Sequence, residues 1–162
     1  MTNTDGGVTA PRGFLAAGVA AGIKPGSTKK DCALIVSETP AAVAGVFTRN
    51  VVKAAPVVWD QQVCVRGNAQ AVFINSGNAN AATGPQGVTD CQATAQAVAE
   101  AVQSGFEAED VCVCSTGVIG VPLPMDRIRK GVAQCVAAIS DTGGLDAAEA
   151  IMTTDTVPKE LA

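Results

Sequence analysis

Three short stretches hold the residue types that chemistry needs. Ser115-Thr116-Gly117 follows the apolar run Asp110-Val111-Cys112-Val113-Cys114. A glycine there lets the backbone come close to a ligand. Successive N–H groups of that turn, helped by the Thr116 hydroxyl, would then face a developing oxyanion. The same residues equally suit a tight strand-to-helix turn whose hydroxyl satisfies itself. Asn75-Ser76-Gly77-Asn78-Ala79-Asn80 sets three amides around Gly77. Amides fix polar substrates but also hold their own turns, and the structural role is the expected one. Thr153-Thr154-Asp155-Thr156 is a dense hydroxyl cluster with one carboxylate. It suits a grip on a small polar substrate, or the end of one helix and the cap of the next element.

The chain contains no His. That removes every Ser-His-Asp or Cys-His machine, and any zinc site that needs imidazole. Its 15 Asp+Glu against 11 Lys+Arg give a formal charge of −4. That balance argues against nucleic acid or an anionic membrane as the main partner. No apolar run approaches the ~20 residues that span a bilayer. Met1 to Gly7 is polar and acidic, without the basic and apolar regions of a signal peptide or the Arg of a transit peptide. The cytoplasm is the simplest location. Pro25-Gly26-Ser27-Thr28-Lys29-Lys30 hints at a phosphate loop but lacks the Gly-x-x-x-x-Gly-Lys-[Ser/Thr] spacing, so a solvated basic turn is expected. The cysteines, Cys32, Cys64, Cys91, Cys112, Cys114 and Cys135, are scattered with no Cys-x-x-Cys pair. Buried small hydrophobes are expected rather than a metal site. No two carboxylates are placed recognisably for acid–base work. An oxyanion-type turn is left without a nucleophile or a base.

The elements that must position these residues alternate along the chain. At 162 residues and 48% apolar, one domain with a sizeable core is expected. Ala33-Leu34-Ile35-Val36, Gly45-Val46-Phe47-Thr48, Pro56-Val57-Val58-Trp59, Ala71-Val72-Phe73-Ile74 and Asp110 to Cys114 read as strands. Asn75 to Gly84 reads as a loop, and Cys91 to Val102 as a helix capped by Thr89 or Asp90 and closed at Gly105. Apolar residues recur at Met125, Ile128, Val132, Cys135, Val136 and Ile139, the stripe of an amphipathic helix with Asp126 as its cap. Arg127, Arg129 and Lys130 fall on its solvated side. A short helix, Ala147 to Met152, delivers the threonine cluster. The alternation predicts an α/β layered domain. Val72 to Gly77 and Cys112 to Gly117 echo one another, each an apolar strand ending in a polar pair and a glycine. They read as two similarly built crevice walls.

Several of these stretches resemble one family. They are Gly6-Gly7-Val8-Thr9-Ala10-Pro11-Arg12-Gly13-Phe14, Ala44-Gly45-Val46-Phe47-Thr48 and Val51-Val52-Lys53-Ala54-Ala55-Pro56-Val57. With them come Asn75-Ser76-Gly77-Asn78-Ala79-Asn80-Ala81, Ser115 to Met125 and Ala150-Ile151-Met152-Thr153-Thr154-Asp155-Thr156. Together they are similar to the N-terminal α chain of the glutamate N-acetyltransferase (ornithine acetyltransferase) family of arginine biosynthesis. The resemblance runs nearly end to end. It implies a layered α/β sandwich of the ArgJ/DmpA type, completed by a separate β chain, with residues 1–162 as the α-chain part.

The resemblance also implies a mechanism. Family members cut themselves between an Ala and a Thr, and that Thr heads the β chain as nucleophile. Its own α-amino group serves as base, so no His is needed. Its hydroxyl takes the acetyl group from N-acetyl-ornithine, and glutamate then receives it. Carried over by position, Thr116 and Gly117 match the oxyanion-hole pair, and a threonine of the pair Thr153 and Thr154, with Thr154 chosen, matches a substrate contact. No cofactor is implied, though some members use acetyl-CoA as a co-substrate. Two α and two β chains are the implied assembly. One departure stands out: the family's Lys-Gly-x-Gly-Met segment and Ala-Thr cleavage site do not follow Thr156, and the sequence ends at Lys159-Glu160-Leu161-Ala162. Truncation is the expected explanation, and an unusually early cut in this member is the alternative. A non-catalytic fragment or small-molecule-binding module that kept the fold is the alternative of a different class, and an N-terminal-nucleophile peptidase or amidase is a third.

Overall fold

Alternating apolar residues on four strands build a sheet with two unlike faces. The computed structural model describes residues 6–102 and 105–162. Its elements are β1 (Phe14–Val19), β2 (Cys32–Ala42), α1 (Ala55–Arg66), β3 (Asn68–Asn78), α2 (Gly84–Val102), β4 (Val111–Val118), α3 (Met125–Ala138) and α4 (Gly144–Ala150). The strand order is β1-β2-β3-β4. Neighbours run antiparallel except β3 and β4, which are parallel and joined through α2. On one face Leu34, Val36, Phe73, Val111 and Val113 pack in the main core with residues of α1, α2 and α3, among them Trp59, Val98 and Ile128. On the other, Ala16, Ala33, Ile35 and Ile74 meet Ala147 and Ala150 of α4. Small residues set that second contact: a Cβ at Gly18 would fall 1.9 Å from the Asp146 carbonyl oxygen. The α/β layered class expected from the alternation is the one observed.

β4 ends the sheet, and α1 covers half of its outer edge. The Trp59 indole donates to the Val111 carbonyl at 2.8 Å, and Asp60 Oδ1 accepts the Val113 N–H at 2.8 Å. Helical side chains thus satisfy edge groups that would otherwise invite another strand. Burial pushes the Asp60 carboxyl up to about 6, against the pull of the Val113 N–H and the Cys114 thiol.

Several local expectations are corrected. Pro56-Val57-Val58-Trp59 is the first turn of α1, not a strand. Proline suits a helix start because its missing N–H has no helical partner there anyway, and the β-branched residues follow the burial of Trp59. Gly45-Val46-Phe47-Thr48 is irregular, with Val46 fully exposed. Phe14–Val19 is a strand where none was expected. Asn75 to Asn78 continues β3 rather than forming a loop. α2 begins at Gly84, so Thr89 and Asp90 lie inside it rather than capping it, and Asp90 is buried. Gly105 has the left-handed φ of +80° expected of it, while Gln103 and Ser104 lie outside the described residues, as does most of the Met1–Gly7 stretch. Asp126 sits in the first turn of α3, with Pro124 at the cap position. Ile128, Val132 and Cys135 of its apolar stripe are buried.

All six cysteines are free, four of them buried. Burial pushes the Cys91, Cys112 and Cys135 thiols up to about 12, as inert small hydrophobes require. The basic turn is only partly solvated, since Lys30 pairs with Asp146 and Glu149 of α4. Among the described residues no helix is long and apolar enough to cross a membrane.

Asp60 makes a pH prediction. Below about pH 4 the carboxyl is protonated in both folded and unfolded chains. Between about 4 and 6 the unfolded chain ionises while the folded one resists, so stability falls as pH rises through that window. Asp60→Asn keeps an acceptor for Val113 and should flatten this part of the curve. Thermal melting from pH 4 to 7 checks it, and an unchanged slope would remove Asp60 as the cause.

Candidate functional site

The two echoing segments turn out to be neighbours. β3 and β4 pair in register from Ala71↔Val111 to Asn78↔Val118, so Asn75 faces Ser115, Ser76 faces Thr116 and Gly77 faces Gly117. The two crevice walls expected from the sequence are adjacent strand ends on one sheet. In open α/β sheets the C-terminal ends of parallel strands are where ligands bind.

The amides of this region are committed to the protein. Asn75 Nδ2 donates to the Asn78 carbonyl at 2.9 Å, and its Oδ1 accepts the Ser115 hydroxyl at 2.6 Å. Asn78 Nδ2 reaches the Val121 and Pro122 carbonyls, fixing the segment that leaves β4. Asn80 is fully buried with φ of +47°, donates to Gly87 O at 2.8 Å and accepts from Thr83. The structural role expected of these amides is what they perform.

Ser115, Thr116 and Gly117 are not a turn after the strand but part of its C-terminal half, which ends at Val118. That changes which groups are available. Val111 C=O and Val113 N–H face the outer edge. Alternation along a strand then turns the N–H groups of Ser115 and Gly117 outward, and that of Thr116 inward to β3. α1 covers the edge only as far as Val113, and Gly117 is exposed. Alternate outward N–H groups, at Ser115 and Gly117, replace the run of successive N–H groups that the sequence suggested, and Thr116 is half-buried between them. Two donors of this kind suffice in principle to hold an oxyanion.

The threonine cluster lies on the α4 side of the sheet. Ser76, the register partner of Thr116, donates its hydroxyl to the Ala150 carbonyl at 2.5 Å. α4 ends at Ala150, earlier than expected, and Thr153 to Thr156 follow as an exposed irregular segment. Thr153 lines a cleft of about 450 Å³ with Lys24, Thr28, Lys29, Lys30 and Glu149, and Thr154 is exposed next to it. The buried hub of this region, Asp31, is not marked in the sequence. Its carboxylate accepts the N–H groups of Ala21 at 2.7 Å and Ile23 at 2.6 Å, and its carbonyl accepts Ser76 N–H at 2.9 Å. A lone Asp after two lysines carries no local sign of burial. Among the described residues no cluster of Cys, Asp or Glu is arranged to hold a metal ion.

Residues 15–162 match the model of the family described as the ArgJ family. The chain belongs to that family. The ArgJ relatives include the arginine biosynthesis bifunctional protein ArgJ of Symbiobacterium thermophilum, 58% identical over 158 residues, covering 97% of this chain and 39% of the relative. The protein of the same name from Mycobacterium tuberculosis is 58% identical over 162 residues, covering 96% of this chain and 40% of the relative. The chain therefore spans about two fifths of the length of the curated ArgJ proteins it matches. Among solved structures, ornithine acetyltransferase complexed with ornithine from Mycobacterium tuberculosis superposes with a TM-score of 0.91 at 55% identity, covering 96% of this chain and 84% of that one. ArgJ of Bacillus halodurans superposes with a TM-score of 0.85 at 41% identity, covering 96% and 81%. The sandwich architecture implied by the sequence resemblance is thus that of the ArgJ fold.

The glycine pair admits a direct test. A Cβ at Gly117 would fall 2.3 Å from the Gly77 carbonyl carbon, and its φ of +132° is one that side chains rarely adopt. Gly117→Ala should lower stability by roughly 3 kcal/mol or more, from strain and overpacking together. Thermal unfolding of the assembled protein checks it, and an unchanged melting temperature would show that the strand ends are not in this contact.

Proposed function

We propose that this chain is the α part of an acyltransferase that moves an acetyl group from N-acetyl-L-ornithine to L-glutamate in arginine biosynthesis, in the cytoplasm. The observation that carries the reading is the exposed Gly117, next to Thr116, at the end of a strand whose outer edge α1 covers only as far as Val113. The names borne by the relatives support the same activity.

The nucleophile is the N-terminal Thr of a partner β chain, whose own α-amino group takes the hydroxyl proton. The threonine oxygen attacks the acetyl carbonyl carbon, and the carbonyl oxygen becomes an oxyanion that Gly117 and Thr116 stabilise. Collapse breaks the C–N bond, and the α-ammonium proton goes to the departing ornithine amine. Glutamate's amine then attacks the acetyl-threonine and passes a proton to the threonine's α-amino group, and collapse of the second oxyanion breaks the ester C–O bond and returns that proton to the threonine oxygen, giving N-acetyl-glutamate. Thr154, with Thr153, holds the substrate. No cofactor enters, and acetyl-CoA is a co-substrate only if the same threonine also accepts its acetyl group.

The lengths of the relatives favour two chains. This chain covers 84% of the solved Mycobacterium tuberculosis chain but 40% of the whole protein from that organism, so the solved chain is about half of the whole. An α2β2 assembly is the corresponding expectation.

Two measurements test the proposal. Native and intact mass spectrometry of the complete protein should find a second chain beginning with Thr, heavier by one acetyl group after incubation with N-acetyl-ornithine alone. A lone species that binds N-acetyl-ornithine but never acetylates glutamate would instead identify a binding module. In the active enzyme, Thr116→Val should lower kcat roughly 10²–10³-fold, as loss of one oxyanion donor does. Undiminished turnover would take Thr116 out of that role.

A further inference from the structure

Two side chains, one from the β1–β2 loop and one from β3, reach across to the end of α4 and hold the carbonyl of its last residue and that of Met152 just beyond it. Lys24 Nζ donates to Met152 O at 2.7 Å, across 128 positions of sequence. Ser76 Oγ donates to Ala150 O at 2.5 Å, across 74. The last carbonyls of a helix have no partner within it, and a cationic donor is well suited to take one. Both contacts fall immediately before Thr153 and Thr154.

The origin of the two tethers is as telling as their targets. Ser76 is the register partner of Thr116. The Lys24 stem passes over Gly77, the partner of Gly117, so closely that a Cβ on Gly77 would lie 3.1 Å from Lys24 Cγ. The loop carrying Lys24 has little freedom, because Asp31 accepts the N–H groups of Ala21, Ile23 and Lys24 at 2.7, 2.6 and 3.3 Å. Asp31 in turn accepts Ser76 N–H through its own carbonyl. One buried aspartate therefore fixes the loop bearing one tether and the strand bearing the other.

From this we propose that Lys24 is a positioning residue of the acetyl-transfer site, which, with Ser76, fixes the Thr153–Thr154 segment relative to Thr116 and Gly117. The proposal rests on the acetyl-transfer reading. The ammonium acts through the Met152 carbonyl rather than on substrate. The segment beyond Met152 is irregular and exposed, and each backbone residue left free costs about 1–2 kcal/mol to order when substrate binds. A charge-assisted bond that orders it beforehand lowers KM without touching the chemical step. The four-carbon stem accounts for the residue type, since it spans Gly77 where a shorter donor would not reach.

The test uses the complete two-chain enzyme and four variants: Lys24→Met, Lys24→Arg, Thr154→Ala and the double variant Lys24→Met/Thr154→Ala. Lys24→Met should raise the KM for N-acetyl-ornithine about tenfold, the worth of one charge-assisted hydrogen bond, and leave kcat within about twofold. Lys24→Arg should restore most of the affinity. The double variant should be no worse than Thr154→Ala alone, because both changes act through one segment. A KM unchanged in Lys24→Met, or effects that multiply in the double variant, overturns the proposal. Hydrogen exchange of residues 150–156 supplies a readout independent of activity: Lys24→Met should speed it, and unaltered exchange also overturns the tether. If Lys24→Met does not assemble, Ser76→Ala is read in its place with the same expected rise in exchange. Failure of the unmutated enzyme to transfer acetyl would sink the acetyl-transfer reading itself, and the exchange measurement would still decide the tether.

Discussion

The structure turns on a contact that no side chain could occupy. Where β3 and β4 end, Gly117 lies against the backbone of Gly77, with the space for its Cβ already filled by the neighbouring carbonyl carbon. Both glycines have φ near +130°. That closeness requires the in-register parallel pairing of the two strands, and the pairing requires α2 to carry the chain from one strand end back to the start of the next. Ser76, Thr116 and the outward Gly117 N–H take their positions from this one arrangement. Displacing either strand by a residue would send every side chain to the opposite face.

Around that contact the fold answers its backbone hydrogen-bonding needs with two carboxylates, the half-buried Asp60 and the buried Asp31. Asp60 and Trp59 of α1 take the outer edge of β4. Asp31 gathers the loop after β1 and locks it to β3. Each stands where regular pairing stops, and each would be costly to bury without its N–H partners. The edge is covered up to Val113 and open at Gly117. The boundary between structural and available backbone therefore falls within a single strand.

This division suits chemistry in which the chain supplies donors and another polypeptide supplies the nucleophile. A chain with no His has no ready general base. In the proposed mechanism an N-terminal amine on the partner's nucleophilic residue removes that need, and electrostatic stabilisation of the oxyanion is the main contribution asked of this chain. Exposed apolar residues, Val118 at the end of β4, Ile119 and Val121 just after it, and Val46, Val51 and Val52 in the irregular segment before α1, lie on surface that the described residues leave uncovered.

By itself the sequence determined the layered α/β class, the strand at Ala71–Ile74, the apolar stripe of α3 and the burial of four of the six cysteines. Composition and short-range periodicity carry these, and both are local properties. It also marked Thr116 and Gly117, through the match to a family motif. Pro56 to Trp59 is ambiguous in sequence because a proline before branched residues fits both a strand entry and a helix start, and only the packing of Trp59 against β4 decides between them. The tertiary structure alone decided that the two echoing segments lie side by side and that Gly117, not Thr116, turns its N–H outward. It alone revealed Asp31, Lys24 and Ser76 as the supports of the threonine segment. Each of these depends on partners far away in the chain, such as Lys24 and Met152, and no local pattern records which distant backbone group a buried side chain will meet.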